Sequence, residues 1–135
     1  MILVDSSVWI DFDRGISSKP AERLFELIQA EANIAGTEPI LMEVLAGARD
    51  HHAWTELRRL LTSFDWIPAD ATVDFEAAAH LYRVCRAAGV TPRGLNDCMI
   101  ASIALRSGAV VLTSDRDFAA ISKVVPLEID EASTR

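Results

Sequence analysis

The chain is poor in lysine, cysteine, histidine and long apolar runs, and each shortage closes off a class of protein. No apolar stretch approaches the roughly 20 residues that a membrane-crossing helix needs, so no membrane partner is expected. The start carries no basic segment, and its apolar run of Ile2, Leu3 and Val4 breaks at Asp5, unlike a secretion signal. Only two cysteines occur, Cys85 and Cys98; both fall in helix-like apolar patterns and neither has metal-type spacing. They read as buried free thiols of a reducing compartment, which gives a cytoplasmic expectation. His51, His52 and His80 show no zinc spacing and read as surface or helix-face residues. Lysine is confined to Lys19 and Lys123 against eleven arginines, and the net charge is −7. That balance disfavours a protein gripping phosphate over its whole surface. Two facts temper it: acids gathered around divalent cations also lower net charge, and bound ions reverse the local sign. Arginine is also the better fork for phosphate.

What is present is a half-hydrophobic chain of 135 residues, enough for one domain, residues 1–135, with a sizeable core. It has no repeat, no low-complexity segment and no Gly/Ser-rich linker; the last few residues are expected as a flexible tail. Strand and helix patterns alternate. Residues 2–5 read as a buried strand and 20–30 as a helix, with Pro20 in the first turn and Leu24, Leu27 and Ile28 as its stripe. A short strand at 33–35 precedes a helix at 37–48 capped by Thr37. A helix at 51–63 carries Trp54, Leu57, Leu60 and Leu61 on one face, and 64–68 reads as a third strand. A long helix runs from Asp70 or Thr72 to residue 88, another covers 95–107, and 109–113 is a near-continuous apolar strand. A short helix at 115–121 and a last strand at 123–127 complete the set. Strands apolar on both faces and alternating with helices argue for an α/β fold with a parallel sheet covered on both sides. Ligands in such sheets bind beyond the carboxyl ends of the strands.

Acids stand at those ends. The first strand stops at Asp5, and AVVLT runs into Ser114 and Asp115, with Asp117 two residues on. Taken singly, Asp5 and Asp115 are each better explained as a helix N-cap than as a ligand. Asp97, in GLNDCMIASIAL, opens a core-like helix whose cap Asn96 can supply, leaving Asp97 as a first-turn acid or a ligand. Glu43, in EPILMEVLAG, lies about 60° outside the apolar stripe of its helix, at its border. Gly47, one turn on, leaves space beside that carboxylate. Four converging carboxylates repel one another and need a cation. They are hard oxygen ligands that suit Mg2+ or Mn2+, and the chemistry expected of such a site is phosphodiester hydrolysis by metal-activated water.

The ordered set of DSS after the first strand, MEVLAG in a helix, NDCMIASIA in a later helix and LTSDRDF after a strand resembles the PIN-domain ribonucleases. More closely it resembles the VapC toxins of type II toxin–antitoxin systems, over residues 2–118. The resemblance implies a three-layer α/β/α domain with a parallel sheet of 4–5 strands. It implies a Mg2+- or Mn2+-dependent endoribonuclease, homodimeric and inhibited by a cognate VapB-type antitoxin. By the same resemblance Asp5, Glu43, Asp97 and Asp115 form the catalytic, metal-binding quartet. Ser6 and Thr113 orient carboxylates or water, with Asn96 and Asp117 supporting; Asp117 is expected to steady the short helix more than to bind metal. Family substrates are structured RNAs cut at an exposed single-stranded loop of tRNA or rRNA, and Arg93, Arg86 and Arg116 are candidate RNA contacts.

Trp9, Trp54 and Trp66 read as core, with Trp54, Leu57 and Leu61 as an alternative partner groove, and Asp11 and Asp13 as surface. A receiver-type signalling domain would need a lysine after a late strand, which is missing. A phosphatase using Asp5 as nucleophile would want an acid where Ser7 stands. A non-catalytic PIN-like binding module is the remaining alternative.

Overall fold

The computed structural model describes residues 1–134. Four short strands, β1 (Ile2–Val4), β2 (Ile34–Gly36), β3 (Asp65–Trp66) and β4 (Val110–Leu112), form one all-parallel sheet in the order β3-β2-β1-β4. The register pairs Ile2 with both Ile34 and Val110, Leu3 with Ala35 and Val111, and Val4 with Leu112. Seven helices join and cover the strands: α1 (Ser6–Asp13), α2 (Lys19–Gln29), α3 (Glu38–Ala46), α4 (His51–Thr62), α5 (Asp74–Ala87), α6 (Leu95–Ser107) and α7 (Arg116–Ser122). The result is a three-layer α/β/α arrangement around a parallel sheet. No helix among the described residues is long and apolar enough to cross a membrane.

The strand order carries the functional geography. The chain builds outward from β1 through β2 to β3, then returns to the other side of β1 for β4. The order therefore reverses between β1 and β4, and the carboxyl ends of those two strands are where such a sheet binds its ligand. Leu3, Val4, Val111 and Leu112 are fully buried there, as expected of strands covered on both faces. Helix α6 is the core helix: every residue from Cys98 to Ala104 is buried, which fits its nearly all-round apolar sequence. It ends at Gly108, whose φ of 69° is the left-handed C-cap that glycine adopts without a Cβ clash. At the other edge, a Cβ on Gly36 would lie 2.7 Å from the Trp66 ring, so the bare glycine admits the indole against β2.

Several sequence expectations are corrected. The segment after Asp5, to which the pattern of strands and helices assigned no element, is α1; it buries Ser6, Val8 and Trp9. The expected last strand at 123–127 does not form. Pro126 can donate no ladder hydrogen bond, and the parallel bridge beside β4 falls later, between Val111 and Ile129. The end of the chain, expected as a tail, runs along β4 here. Buried Ser133 accepts from the Thr113 N–H at 3.1 Å, and the Thr134 N–H reaches the Thr113 carbonyl at 2.9 Å. Residue 135 lies outside the described residues. Thr37 occupies the N-cap of α3 but makes no side-chain cap, and α5 starts at Asp74, after Asp70 and Thr72. Trp9 is core, whereas Trp54 is exposed on α4 although Leu57 and Leu61 beside it are buried. Cys85 and Cys98 are buried free thiols, as expected.

Candidate active site

Asp5 stands at the end of β1, in the N-cap position of α1, yet its side chain makes no capping bond. The carboxylate is 2 % exposed and turned toward β4 instead. Its Oδ2 accepts from the Ser7 hydroxyl at 2.7 Å and the Thr113 hydroxyl at 3.0 Å. Its Oδ1 is buried and has no hydrogen-bond partner among the described residues. Burial raises its pKa, with the Ser7 and Thr113 hydrogen bonds pulling the other way. An unpartnered buried carboxylate oxygen is costly, and a cation is the partner that its chemistry asks for.

The other acids converge on the same edge. Thr113, buried at the end of β4, bridges two of them: it donates to Asp5 and accepts from the Asp115 N–H at 2.9 Å. Asp115 serves two roles, since its Oδ1 caps α7 by accepting from the Asp117 N–H at 2.9 Å. From α6, Asp97 brings a third carboxylate, and ligand oxygens of Asp97, Asp115 and Asp117 all lie within 4.8 Å of one another. Burial, then Asp115, Asp5, Glu43 and Asp117, push the Asp97 pKa up to about 7. Glu43, half-buried on α3, accepts from the Ser6 hydroxyl at 3.2 Å and from the Asn96 amide. Its pKa is raised by burial first and by Asp5 next. Mutual elevation of this kind is what like charges crowded into one low-dielectric crevice produce.

Arg93, on the loop between α5 and α6, reaches into the acids. Its Nη2 donates to Asp115 Oδ1 at 2.7 Å and its Nε to Asp117 Oδ2 at 3.0 Å, with its backbone N–H on the same Asp117 oxygen at 3.2 Å. Arg116 is exposed at the start of α7. Arg86 lies over the Tyr82 ring at 5.9 Å, and among the described residues nothing joins it to the acids.

Against the sequence reading, Asp5, Glu43, Asp97 and Asp115 are brought to one edge, with Ser6 on Glu43 and Thr113 on Asp5. Four details change. The N-cap of α6 is Gly94, so Asn96 caps nothing; its amide links α6 to α3 through the Pro39 carbonyl and Glu43. Asp117, a first-turn acid of α7 as expected, also joins the acid cluster and holds Arg93. Gly47 is the C-cap of α3, and a Cβ there would meet only ordinary contacts, so it clears no space beside Glu43. Asp11 is half-buried, accepting from Ser18 and Ser114 at 3.4 Å each, whereas Asp13 is exposed. Sequence reasoning left Ser7 undecided as a turn residue. Its hydroxyl donates to Asp5 and accepts from the Ser114 N–H at 3.0 Å, closing the gap between β1 and β4.

A sheet edge at the β1–β4 reversal, with five acids from four different segments, invites comparison with known proteins. The PIN domain family model matches residues 2–124. The chain belongs to the PIN-domain family, among the VapC toxins. It is similar to Ribonuclease VapC11 of Mycobacterium tuberculosis (strain ATCC 25618 / H37Rv), 42% identical over 129 residues, covering 95% of this chain and 96% of that one. Among solved structures it is similar to a toxin–antitoxin complex from Klebsiella pneumoniae, with a TM-score of 0.70, 26% identity and coverage of 96% and 100%. VapBC2 from Rickettsia felis, bound to a DNA fragment from its promoter, shares the fold at a TM-score of 0.74 and 19% identity, covering 96% and 98%. In this VapC-family chain the site thus combines a PIN-type sheet edge with an acid cluster able to hold a divalent metal ion.

Proposed function

We propose that this VapC-family protein is the toxin of a type II toxin–antitoxin pair, acting in the cytoplasm as a Mg2+- or Mn2+-dependent endoribonuclease. Its proposed substrate is a structured RNA, cut at an exposed single-stranded loop of tRNA or rRNA. The observation that carries the nuclease reading is Asp5: a buried carboxylate with one oxygen unpartnered, facing a crevice where four further acids gather. The donor set fits a hard divalent cation and little else, since every candidate ligand is a carboxylate oxygen. Asp97, Asp115 and Asp117 would hold it, together with Asp5 and Glu43. Bound there, the cation supplies a water acidified toward neutral pH and offsets charge on the phosphate.

The chain's own residues supply the positioning. Ser7 and Thr113 fix Asp5 on one oxygen, and Oδ1 has no hydrogen-bond partner among the described residues. Ser6 and Asn96 hold Glu43, whose pKa is raised by burial and by the neighbouring Asp5. A VapB-type antitoxin is the proposed partner, favoured by toxin–antitoxin complexes among the similar structures and by a net charge of −7 that suits a basic segment. A homodimer is proposed with it.

The test is cleavage of a loop-containing RNA by the purified protein with Mg2+ or Mn2+. Cleavage is expected to stop with chelator and in Asp5→Ala, whose circular dichroism should match the parent. Chelator-resistant cleavage, or full activity in that variant, would overturn the assignment. Growth arrest on expression, relieved by co-expression of the neighbouring antitoxin frame, tests the toxin role.

A further inference from the structure

The acid cluster already holds a cation of its own, the Arg93 guanidinium. Both of its side-chain contacts land on Asp115 and Asp117, two of the three acids whose oxygens lie within 4.8 Å of one another. Yet the side chain is 74% exposed and anchored by nothing else in the described residues. It projects from a loop that follows Gly89, whose φ is 83°, and it is itself followed by Gly94. A guanidinium so placed is a weakly held counter-ion, because ion pairs open to water are individually weak.

We infer that Arg93 is a two-position residue: it neutralises Asp115 and Asp117 while the site lacks metal, is displaced when a divalent cation enters, and then binds a phosphate of the RNA strand at the rim. The inference rests on the metal-dependent nuclease reading above. The displacement follows from charge, since a divalent cation drawn to these carboxylates meets a positive group already on two of them. Binding of one weakens the other by the same factor. The second position follows from chemistry. Once released, Arg93 is an exposed planar fork beside the acids, the side chain best matched to phosphate oxygens. This gives an acidic crevice a way to hold a polyanion without a permanently basic wall.

The test compares the full chain with Arg93→Gln and Arg93→Lys. Mn2+ affinity is read by titration calorimetry, and affinity for a non-cleavable single-stranded oligoribonucleotide is read with metal present. Arg93→Gln is expected to bind Mn2+ about fivefold more tightly, the worth of two exposed ion pairs. It should bind the oligonucleotide several-fold more weakly, while Arg93→Lys, which keeps the charge, stays near the parent for Mn2+. Equal or weaker Mn2+ binding by Arg93→Gln would overturn the displacement, because the guanidinium would then be orienting the ligands or idle. Unchanged oligonucleotide binding would overturn the second position. A parent protein that binds no Mn2+ would refute the nuclease reading itself, a separate outcome from either.

Discussion

Replacing Asp97 with asparagine is expected to make the metal-free protein more stable and the metal-bound one less so. The forces on Asp97 are burial and four neighbouring acids, with no hydrogen bond to lose, so the amide removes a repelled charge and little else. The folded state raises the Asp97 pKa from 3.8 to about 7. The sign follows from linkage. The folded protein binds this proton more tightly than the unfolded chain, so stability is full below 3.8 and falls as pH rises to about 7. A shift of that size corresponds to about 4 kcal/mol at pH 8; Asp97 is only partly buried, and solvent screening leaves roughly 2 kcal/mol. For a chain of this size that is roughly 4–8 °C in Tm. Thermal unfolding in EDTA at pH 8 should therefore show Asp97→Asn melting higher than the parent, with the gap closing toward pH 4. Added Mn2+ should reverse the ranking, since the parent gains from ligand binding and the variant gains far less. A variant that melts lower than the parent in EDTA, or that gains as much from Mn2+, would refute the view that these acids are held together against their own repulsion for a cation.

Thr113→Val strips a buried hydroxyl that links Asp5 to the Asp115 N–H; it should cost about 1–3 kcal/mol in urea unfolding and reduce cleavage more than RNA binding. Asp74→Ala should cost about 1–3 kcal/mol. Asp74 is 1 % exposed, takes both Arg106 forks at 2.9 and 2.8 Å and accepts from the Asp70 N–H at 2.7 Å; its removal loses these bonds, while Arg106, open to water, keeps the Pro68 carbonyl. Arg106 holds the Asp74 pKa below the usual range, so this contribution is present above pH 3.8 and lost as pH falls further, with Mn2+ binding untouched. Gly36→Ala should cost about 1–3 kcal/mol by pressing on the Trp66 ring, read as a shifted tryptophan emission with the metal site intact.

How much of this was legible in the sequence depended on what fixes each element. The bounds of α6 were readable because an unbroken apolar block ends at Gly108, and the C-cap is a local event. Asp5, Asp97 and Asp115 were readable as a set because each follows a strand or opens a helix, and a parallel sheet sends such ends to one edge; Glu43, inside α3, was marked by its place at the border of an apolar stripe. What escaped was decided by tertiary partners. Helix α1 is one such case: Asp5 stands at its N-cap, but the side chain is committed to Ser7 and Thr113 and not to the helix N–H groups. The hydrophobic run near Val124 and Val125 looked like a strand, yet Ile129 is the residue that bridges β4. Asp117 looked like a helix-opening acid because its partner Arg93 stands 24 positions away. Gly47 looked like a gap beside Glu43 and is simply where the helix stops.

The strand order has a consequence for when this protein becomes capable of anything. β1, at the centre of the sheet, meets β2 across about 32 positions, but the bond from Thr113 to Asp5 spans 108. Loop closure makes the second join costlier by about 1 kcal/mol, and β4 lies late in a chain synthesised from its first residue. A growing chain can assemble β1, β2 and the Ser6–Glu43 pair early. It cannot then bring Asp115, Asp117 or the Thr113 hydroxyl to Asp5, because they have yet to be made. The acid edge thus closes last, so the fold itself delays the moment at which the site of a nascent chain is complete.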